Sequence, residues 1–205
     1  MRPPVSALLG KLDVLWARKR PALRRQLRRG VAPGKLDAVS VRLGVKLPPA
    51  LRALYRWHDG LRDPHASVEG HFGWGSLASG LALKRTLDQM ERDGFFDGPT
   101  GVWWNPSWLP VLQFNLEDLV CVDLAGTLGK GRGAVFVRDN VDPRRTILAP
   151  SLHAWLHAHV VVTERGPDGA DDDTWADYFT SPATARVRRT LDPGFPCTVV
   201  ARRSS

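Results

Sequence analysis

The sequence contains little cysteine and no apolar run long enough to cross a membrane. Its two cysteines, Cys121 and Cys197, cannot form a disulfide framework, and their spacing is not that of a zinc site. Near the N-terminus only residues 5–9 form an apolar stretch, which Lys11 and Asp13 follow. This stretch is too short for the core of a signal peptide. We therefore expect a cytoplasmic protein with no membrane span.

The sequence also lacks the pattern of a nucleotide-binding loop, although residues 126–133 are rich in glycine. A Walker loop needs a glycine five residues before its Gly-Lys pair and a Ser or Thr after the lysine. Here Leu124 and Gly131 stand at those two places. A β-prone run at 134–137 follows, where a dinucleotide-binding loop would open a helix. This stretch therefore predicts a hairpin loop and no cofactor.

No catalytic or metal-binding motif stands out. Three histidines, His153, His157 and His159, lie close together in the sequence. No glutamate follows His153, as it would in the helix of a zinc protease, and no third metal ligand is evident in the sequence. The three histidines therefore favour a solvent-facing helix surface over a metal site. No serine lies in a Gly-x-Ser-x-Gly elbow, and neither cysteine has a histidine beside it in the sequence. The residues alone therefore predict neither an enzyme nor a metal protein.

Positive charge is abundant and is concentrated near the N-terminus. The formal net charge is +8, and residues 1–50 carry 12 of the 29 Lys and Arg but only 2 of the 21 Asp and Glu. A basic patch is predicted there, formed by Arg24, Arg25, Arg28 and Arg29. Such a patch can contact phosphates or steer an anionic partner. No aromatic residues interleave with these arginines, which favours a solvated helix face over a nucleic-acid partner.

The spacing of apolar residues predicts an α+β fold with a mostly antiparallel central sheet wrapped by helices. We place one domain at 1–163 and a C-terminal extension, packed on or trailing from it, at 164–205. A mobile loop is expected at 164–175, because three consecutive aspartates lie in it. The predicted helices span 5–20, 22–29, 36–43, 48–60, 79–90 and 150–162, and the predicted strands span 109–114, 119–124, 134–138, 145–148 and 198–200.

Tryptophan is frequent, with eight in the chain, and three of them lie between 103 and 108. This stretch is either a packing element at a sheet edge, which we favour, or a platform on which a ligand stacks. Asp118 and Asp123 flank a predicted apolar strand. A carboxylate at the end of such a strand needs a partner or an open face. Asp123 is therefore either a pocket residue or the cap of a turn.

Several segments together resemble the SUKH superfamily, which includes the fungal Smi/Knr cell-wall assembly regulators. The longest block is a helix of the Leu-Pro…Leu…Tyr…Asp-Gly kind, which GVK at 44–46 precedes. The blocks occur in the order of the family over about residues 35–160. They are LPPALRALYRWHDG at 47–60, WLPV at 108–111, DLVCVD at 118–123, GAVF at 133–136 and APSLHAWL at 149–156.

The resemblance implies an α+β fold and a non-enzymatic binding role. Bacterial members of the superfamily are mostly immunity proteins that bind and neutralise a cognate polymorphic toxin, whereas fungal members regulate cell-wall synthesis. The resemblance therefore favours a toxin-immunity protein, with a regulatory or scaffold protein of envelope assembly as the alternative and nucleic-acid binding as the second alternative. We expect the partner to contact one pocket or face that contains Trp57, Asp59, Trp108, Asp118 and Asp123.

The charge distribution leaves two docking modes open. A nuclease toxin is usually basic and would favour the slightly acidic later half of the chain. An acidic target would instead favour the arginine-rich N-terminal helices.

Overall fold

The computed structural model describes residues 1–64, 66–114 and 118–201. Its helices are α1 (Val5–Lys19), α2 (Pro21–Arg25), α3 (Pro33–Leu43), α4 (Pro49–Trp57), α5 (Leu77–Arg92), α6 (Leu152–Arg165), α7 (Asp172–Thr180) and α8 (Pro182–Leu191). Its strands are β1 (Leu27–Arg29), β2 (His58–Leu61), β3 (Ser67–Glu69), β4 (Phe72–Trp74), β5 (Trp108–Phe114), β6 (Asp118–Asp123), β7 (Ala134–Arg138), β8 (Arg144–Ala149) and β9 (Cys197–Val200). The predicted α+β class is confirmed.

The main sheet has seven antiparallel strands in chain order, from β3 at one edge to β9 at the other. Strands β5 to β8 correspond to the four strands predicted between 109 and 148. The glycine-rich stretch 126–133 lies in the connection from β6 to β7, as a hairpin loop. On β6, Leu119 and Cys121 belong to one hydrophobic core and Val120 and Val122 to another. Because both faces of this strand are apolar, the sheet must be covered on both sides.

Each face of the main sheet has its own core. The larger core lies beneath α1, α4 and α6, and Trp155 of α6 is among its buried side chains. The smaller core contains Leu87 of α5 together with Trp104 and Trp108. The tryptophan-rich stretch 103–108 therefore contributes to packing, as the favoured interpretation predicted.

Two short segments predicted as helix are strands instead. Within the helix predicted at 22–29, α2 ends at Arg25 and β1 begins at Leu27. Within the helix predicted at 48–60, α4 ends at Trp57 and β2 begins at His58. These strands pair antiparallel, with Leu27 opposite Leu61. Gly60 in β2 has a φ of 74°, a left-handed value that favours glycine. The prediction was wrong here because a pairing between segments distant in sequence overrides the local apolar spacing.

Helix α6 is buried on nearly all sides, and this corrects the interpretation of its histidines. His159 is fully buried, although the sequence favoured a solvent-facing surface for all three. His153 and His157 are partly exposed. A helix packed against the sheet on one side and against α1, α4 and α8 on others has little solvent-facing surface. Among the described residues, no helix combines the length and the apolar character that crossing a bilayer requires.

The C-terminal segment packs against the rest of the chain. The stretch 164–175, predicted as a mobile loop, leads into α7, because the Asp171 side chain accepts a hydrogen bond from the backbone nitrogen of Thr174 at 2.8 Å and caps the helix. Trp175 of α7 is fully buried, and β9 adds the last strand to the main sheet. The two helices α7 and α8 were not predicted.

Ion pairs between the N-terminal and C-terminal segments account for much of the N-terminal charge. Lys19 is only 3% exposed and, in addition to its ion pair with Asp168, donates a hydrogen bond to the backbone oxygen of Gly166 at 2.6 Å. The basic N-terminal helices therefore hold the C-terminal segment in place. The pairs are Arg2–Asp192, Lys11–Glu164, Arg18–Asp168, Lys19–Asp168 and Arg20–Asp172.

Candidate functional site

The five residues predicted to contact a partner lie in three separate places. Trp108 and Asp123 are paired across β5 and β6, with exposures of 1% and 0%. The Trp108 ring packs edge-on against Phe136, with 4.9 Å between centroids. Neither side chain reaches the surface, so a partner could contact them only after local opening. Their assignment to a partner interface stays a prediction.

The carboxylate of Asp123 holds the glycine-rich loop between β6 and β7. It accepts hydrogen bonds from the backbone nitrogens of Gly126 and Leu128, both at 2.9 Å, and from the Thr127 hydroxyl at 3.2 Å. Of the two interpretations of Asp123, the structure shows the turn cap. Asp118 lies at the opposite end of β6, is partly exposed and accepts a hydrogen bond from the backbone nitrogen of Asn140 at 3.0 Å.

Trp57, at the end of α4, is half-buried between two other indole rings. Its ring centroid lies 5.7 Å from that of Trp16 and 6.0 Å from that of Trp74. These contacts connect α1, α4 and β4, and aromatic pairs of this kind stabilise a core beyond the area that they bury. The main role of Trp57 in this structure is therefore packing.

Asp59, in β2, caps the start of α5. Its Oδ1 accepts a hydrogen bond from the backbone nitrogen of Leu77 at 2.7 Å. The Ser76 side chain accepts a second one from the backbone nitrogen of Ser79 at 3.1 Å, so the helix begins at Leu77, two residues before the predicted start at 79. Of the five predicted partner-binding residues, Asp59 is the one that lines a surface groove beside the start of α5.

This groove has a volume of about 720 Å³ and lies between α3 and α5. On α3, Lys35 and Arg42 are seven residues apart and so share one face of the helix. On α5, Leu81 and Arg85 are four residues apart and face them. We call this site the basic groove and define it by Arg29, Lys35, Arg42, Asp59, Leu81 and Arg85.

The connection from β1 to α3 forms one side of the basic groove and is fixed to α4. Gly30 passes so close to the end of α4 that a Cβ at this position would collide with the carbonyl oxygen of Arg56. The next residue, Val31, donates its backbone N–H to the carbonyl oxygen of Tyr55 at 2.8 Å. That bond satisfies one of the terminal carbonyl groups of α4 and sets the position of the groove wall.

The cations of the basic groove have no partners in the described parts of the chain. Arg29, Lys35, Arg42 and Arg85 are all exposed, and no hydrogen bond or ion pair joins their side chains to a described residue. Asp59 is the single acidic residue among the described residues that line the groove. The groove is therefore a concave surface with uncompensated positive charge.

The four arginines of the predicted basic patch have different environments. Arg24 forms an ion pair with Asp13 at 3.1 Å, and Arg28 donates to the carbonyl oxygen of Leu61 at 2.9 Å. Arg25 is exposed on α2, whereas Arg29 lines the basic groove. Of the four arginines in the predicted patch, Arg29 is therefore the one that belongs to the basic groove. Arg42 lies on the helix predicted at 36–43, and Lys35 directly precedes it; Lys35 joins that helix because α3 begins at Pro33. No sequence signal connects either residue with Arg85.

A buried polar cluster lies beneath α6 and was not predicted. His159 is stacked between the rings of Trp155 and Phe179, at 5.0 and 5.1 Å, and its Nδ1 lies 2.8 Å from a Glu69 carboxylate oxygen. Arg188 of α8 donates to the other Glu69 oxygen. Burial lowers the pKa of His159, and its contact with Glu69 only partly opposes this. Burial alone would raise the pKa of Glu69, but Arg188 and His159 outweigh it and lower that pKa.

Comparison with protein families gives a match over more than half of the chain. The model of the SMI1 / KNR4 family (SUKH-1) matches residues 30–158. The matched range contains α3, α4, α5 and strands β2 to β8, and hence both helical walls of the basic groove. It leaves out α1, α7 and α8. A search of curated proteins found no match to the chain.

Proposed function

We propose, from the premise that this chain belongs to the SMI1/KNR4 family (SUKH-1), that it is a cytoplasmic immunity protein. It acts by binding a cognate bacterial toxin and without catalysing a reaction. The observation that carries this proposal is the family match, which covers residues 30–158 and so contains all the predicted blocks. Those blocks resemble the SUKH superfamily, whose bacterial members mostly neutralise a cognate toxin.

The state of the most reactive side chains supports a binding role. Burial raises the pKa of the Cys121 thiol to about 12, so it is protonated at neutral pH and is a poor nucleophile. His159 is enclosed by two rings and bonded to Glu69, so it has no access to a substrate. Both residues stabilise cores, whereas the basic groove is a concave polar surface that is open to a partner.

Neutralisation by binding requires an interface with a desolvated centre and a charged rim. The basic groove offers this arrangement. Its apolar floor includes Val39 and Leu81, which are 8% and 6% exposed, and cations surround it. The activity of the protein is then a binding free energy, and occupancy of the groove by the toxin is what blocks the toxin.

Growth rescue tests the proposed function. A toxin gene beside the gene for this chain is expressed from an inducible promoter, with and without the chain. We expect growth arrest by the toxin alone and recovery when both are expressed, together with co-purification of the two proteins. Full arrest in the presence of well-expressed, folded chain would contradict the proposal.

A regulatory or scaffold role in envelope assembly is the second candidate, and the family description favours it because the family is named for the Smi/Knr regulators. This role predicts a cell-wall phenotype when the gene is deleted in a strain without any cognate toxin. Normal growth and normal wall staining in that strain would exclude it.

A further inference from the structure

The basic groove carries positive charges that no ion pair with a described residue neutralises. Elsewhere near the N-terminus, cations are neutralised within the chain, as Lys11 is by Glu164 and Arg20 by Asp172. Arg29, Lys35, Arg42 and Arg85 converge on one concavity and have no such partners among the described residues. Like charges gathered around a groove destabilise the free protein slightly, and an anion bound between them relieves that repulsion.

We propose that the basic groove is the docking site for an acidic segment of the protein partner, a segment that carries carboxylates on either side of an apolar side chain. This inference rests on the proposed binding function, because it names the chemistry of the partner at the same site. The carboxylates contact Lys35, Arg42 and Arg85, and the apolar side chain covers Val39 and Leu81.

The walls of the groove define the spacing that the partner must present. Lys35 and Arg42 lie two helical turns apart on α3, which is about 10 Å along the helix axis. Arg85 stands on the facing helix, so the cations flank the groove on both sides. A guanidinium can hold a carboxylate through two parallel hydrogen bonds, which gives Arg42 and Arg85 geometric selectivity in addition to charge.

A protein segment fits this groove better than nucleic acid does. None of the described residues that line it is aromatic, so bases would have no ring to stack on. Asp59 lies within it and can accept a hydrogen bond from a peptide N–H, a donor that a phosphate backbone does not have. The volume of about 720 Å³ is also that of a compact site and not of an extended track.

A second copy of this chain is a poor occupant on the ground of charge. The chain has a formal net charge of +8. Several of its carboxylates are already held in ion pairs, as Asp13 is by Arg24 and Asp37 by Arg52. Association through the groove would therefore bring two positive surfaces together, which opposes binding.

The test uses the full chain and fluorescence anisotropy. The probe is a short fluorescein-labelled peptide of Glu and Leu residues, and the reference probe has every Glu replaced by Lys. We expect saturable binding of the acidic peptide that weakens as salt screens the contacts, and none of the basic peptide. Binding of the acidic peptide should fall at least about tenfold in the variant K35E/R42E, because two attractive contacts become repulsive.

A matched control separates the groove from the net charge. The variant K130E/R189E makes the same change in charge at two exposed positions outside the groove. It should keep the affinity of the unmodified chain. Equal losses in both variants would show that the peptide senses only the overall charge, and that result overturns the proposal. Circular dichroism of each variant confirms that it is folded.

Two further outcomes overturn it as well. If a single-stranded DNA oligonucleotide of equal charge binds more tightly than the acidic peptide and loses binding in K35E/R42E, the occupant is nucleic acid. If the unmodified chain binds neither the acidic peptide nor the oligonucleotide, the groove is not an anion site.

Growth rescue distinguishes this inference from the proposed function. If the unmodified chain rescues growth and K35E/R42E rescues equally well, the groove inference fails and the immunity function stands. If the unmodified chain binds the acidic peptide through the groove but gives no rescue with the neighbouring toxin, the immunity function fails and the groove stands.

Discussion

Replacing Asp123 by alanine should destabilise the fold strongly while leaving partner binding intact. The carboxylate is fully buried and accepts four hydrogen bonds from the β6–β7 loop, the longest of them from the Ala125 nitrogen at 3.3 Å. Loss of the buried bond to the Leu128 nitrogen leaves that N–H without a partner, at a cost of about 1–3 kcal/mol. The bonds to Gly126 and Thr127 are partly solvent-accessible, so water replaces them and each contributes about 0.5–1.5 kcal/mol.

The expected loss of stability for Asp123→Ala is therefore at least about 2 kcal/mol, measured by urea denaturation followed by circular dichroism. Asp118→Ala is a matched control on the same strand. It removes the bond that the carboxylate accepts from the exposed Asn140 nitrogen, together with its attraction to Arg138, and should cost about 1 kcal/mol. At a temperature where Asp123→Ala remains folded, its affinity for the acidic peptide should equal that of the unmodified chain. A loss of stability below about 1 kcal/mol, or a selective loss of binding, would refute a structural role for this carboxylate.

Three further predictions concern buried side chains and a close backbone contact. Burial lowers the pKa of His159, so just below the unfolded pKa of about 6.5 the folded state binds fewer protons than the unfolded state. The free energy of unfolding should therefore fall as the pH decreases there, by up to about 1.4 kcal/mol per pH unit. The variant His159→Gln should reduce this slope, measured by urea titrations between about pH 5 and pH 8. The lowered pKa of Glu69 adds a loss at more acidic pH, so a pH-independent urea midpoint would contradict both statements. Trp175→Ala should cost about 3–5 kcal/mol, since the ring is fully buried and carries the Arg20 guanidinium at 5.1 Å; a thermal melt within two or three degrees of the unmodified one would rule this out. Gly30→Ala should cost about 1–3 kcal/mol and weaken peptide binding, because the connection must move away from α4, whereas Gly10→Ala, which meets open space, should do neither.

The sequence predicted the main sheet between 109 and 148 because its strands carry apolar runs bounded by turn residues. Hairpins there join neighbouring segments, so local signals are enough to define them. The same local logic failed for β1 and β2, which pair across the intervening α3 and α4. It also failed at Asp171, where an acidic run suggested a loop although the first aspartate caps a helix whose Trp175 is buried.

The candidate site was less predictable than the fold. The sequence singled out Asp59 but combined it with Trp108 and Asp123, which the structure buries at the opposite face of the sheet from Trp57. Aromatic and acidic residues mark interfaces and cores alike, so residue type alone cannot separate the two. The basic groove brings together residues from α3, α5 and the β1–α3 connection, and only tertiary structure places them side by side.

Titration calorimetry of the purified chain with the purified toxin encoded beside it tests the central claim most directly. We predict a saturable complex with the unmodified chain and with K130E/R189E, and an affinity at least about tenfold weaker with K35E/R42E. Absence of a complex with the folded, unmodified chain would contradict the claim that this protein neutralises a toxin by binding it.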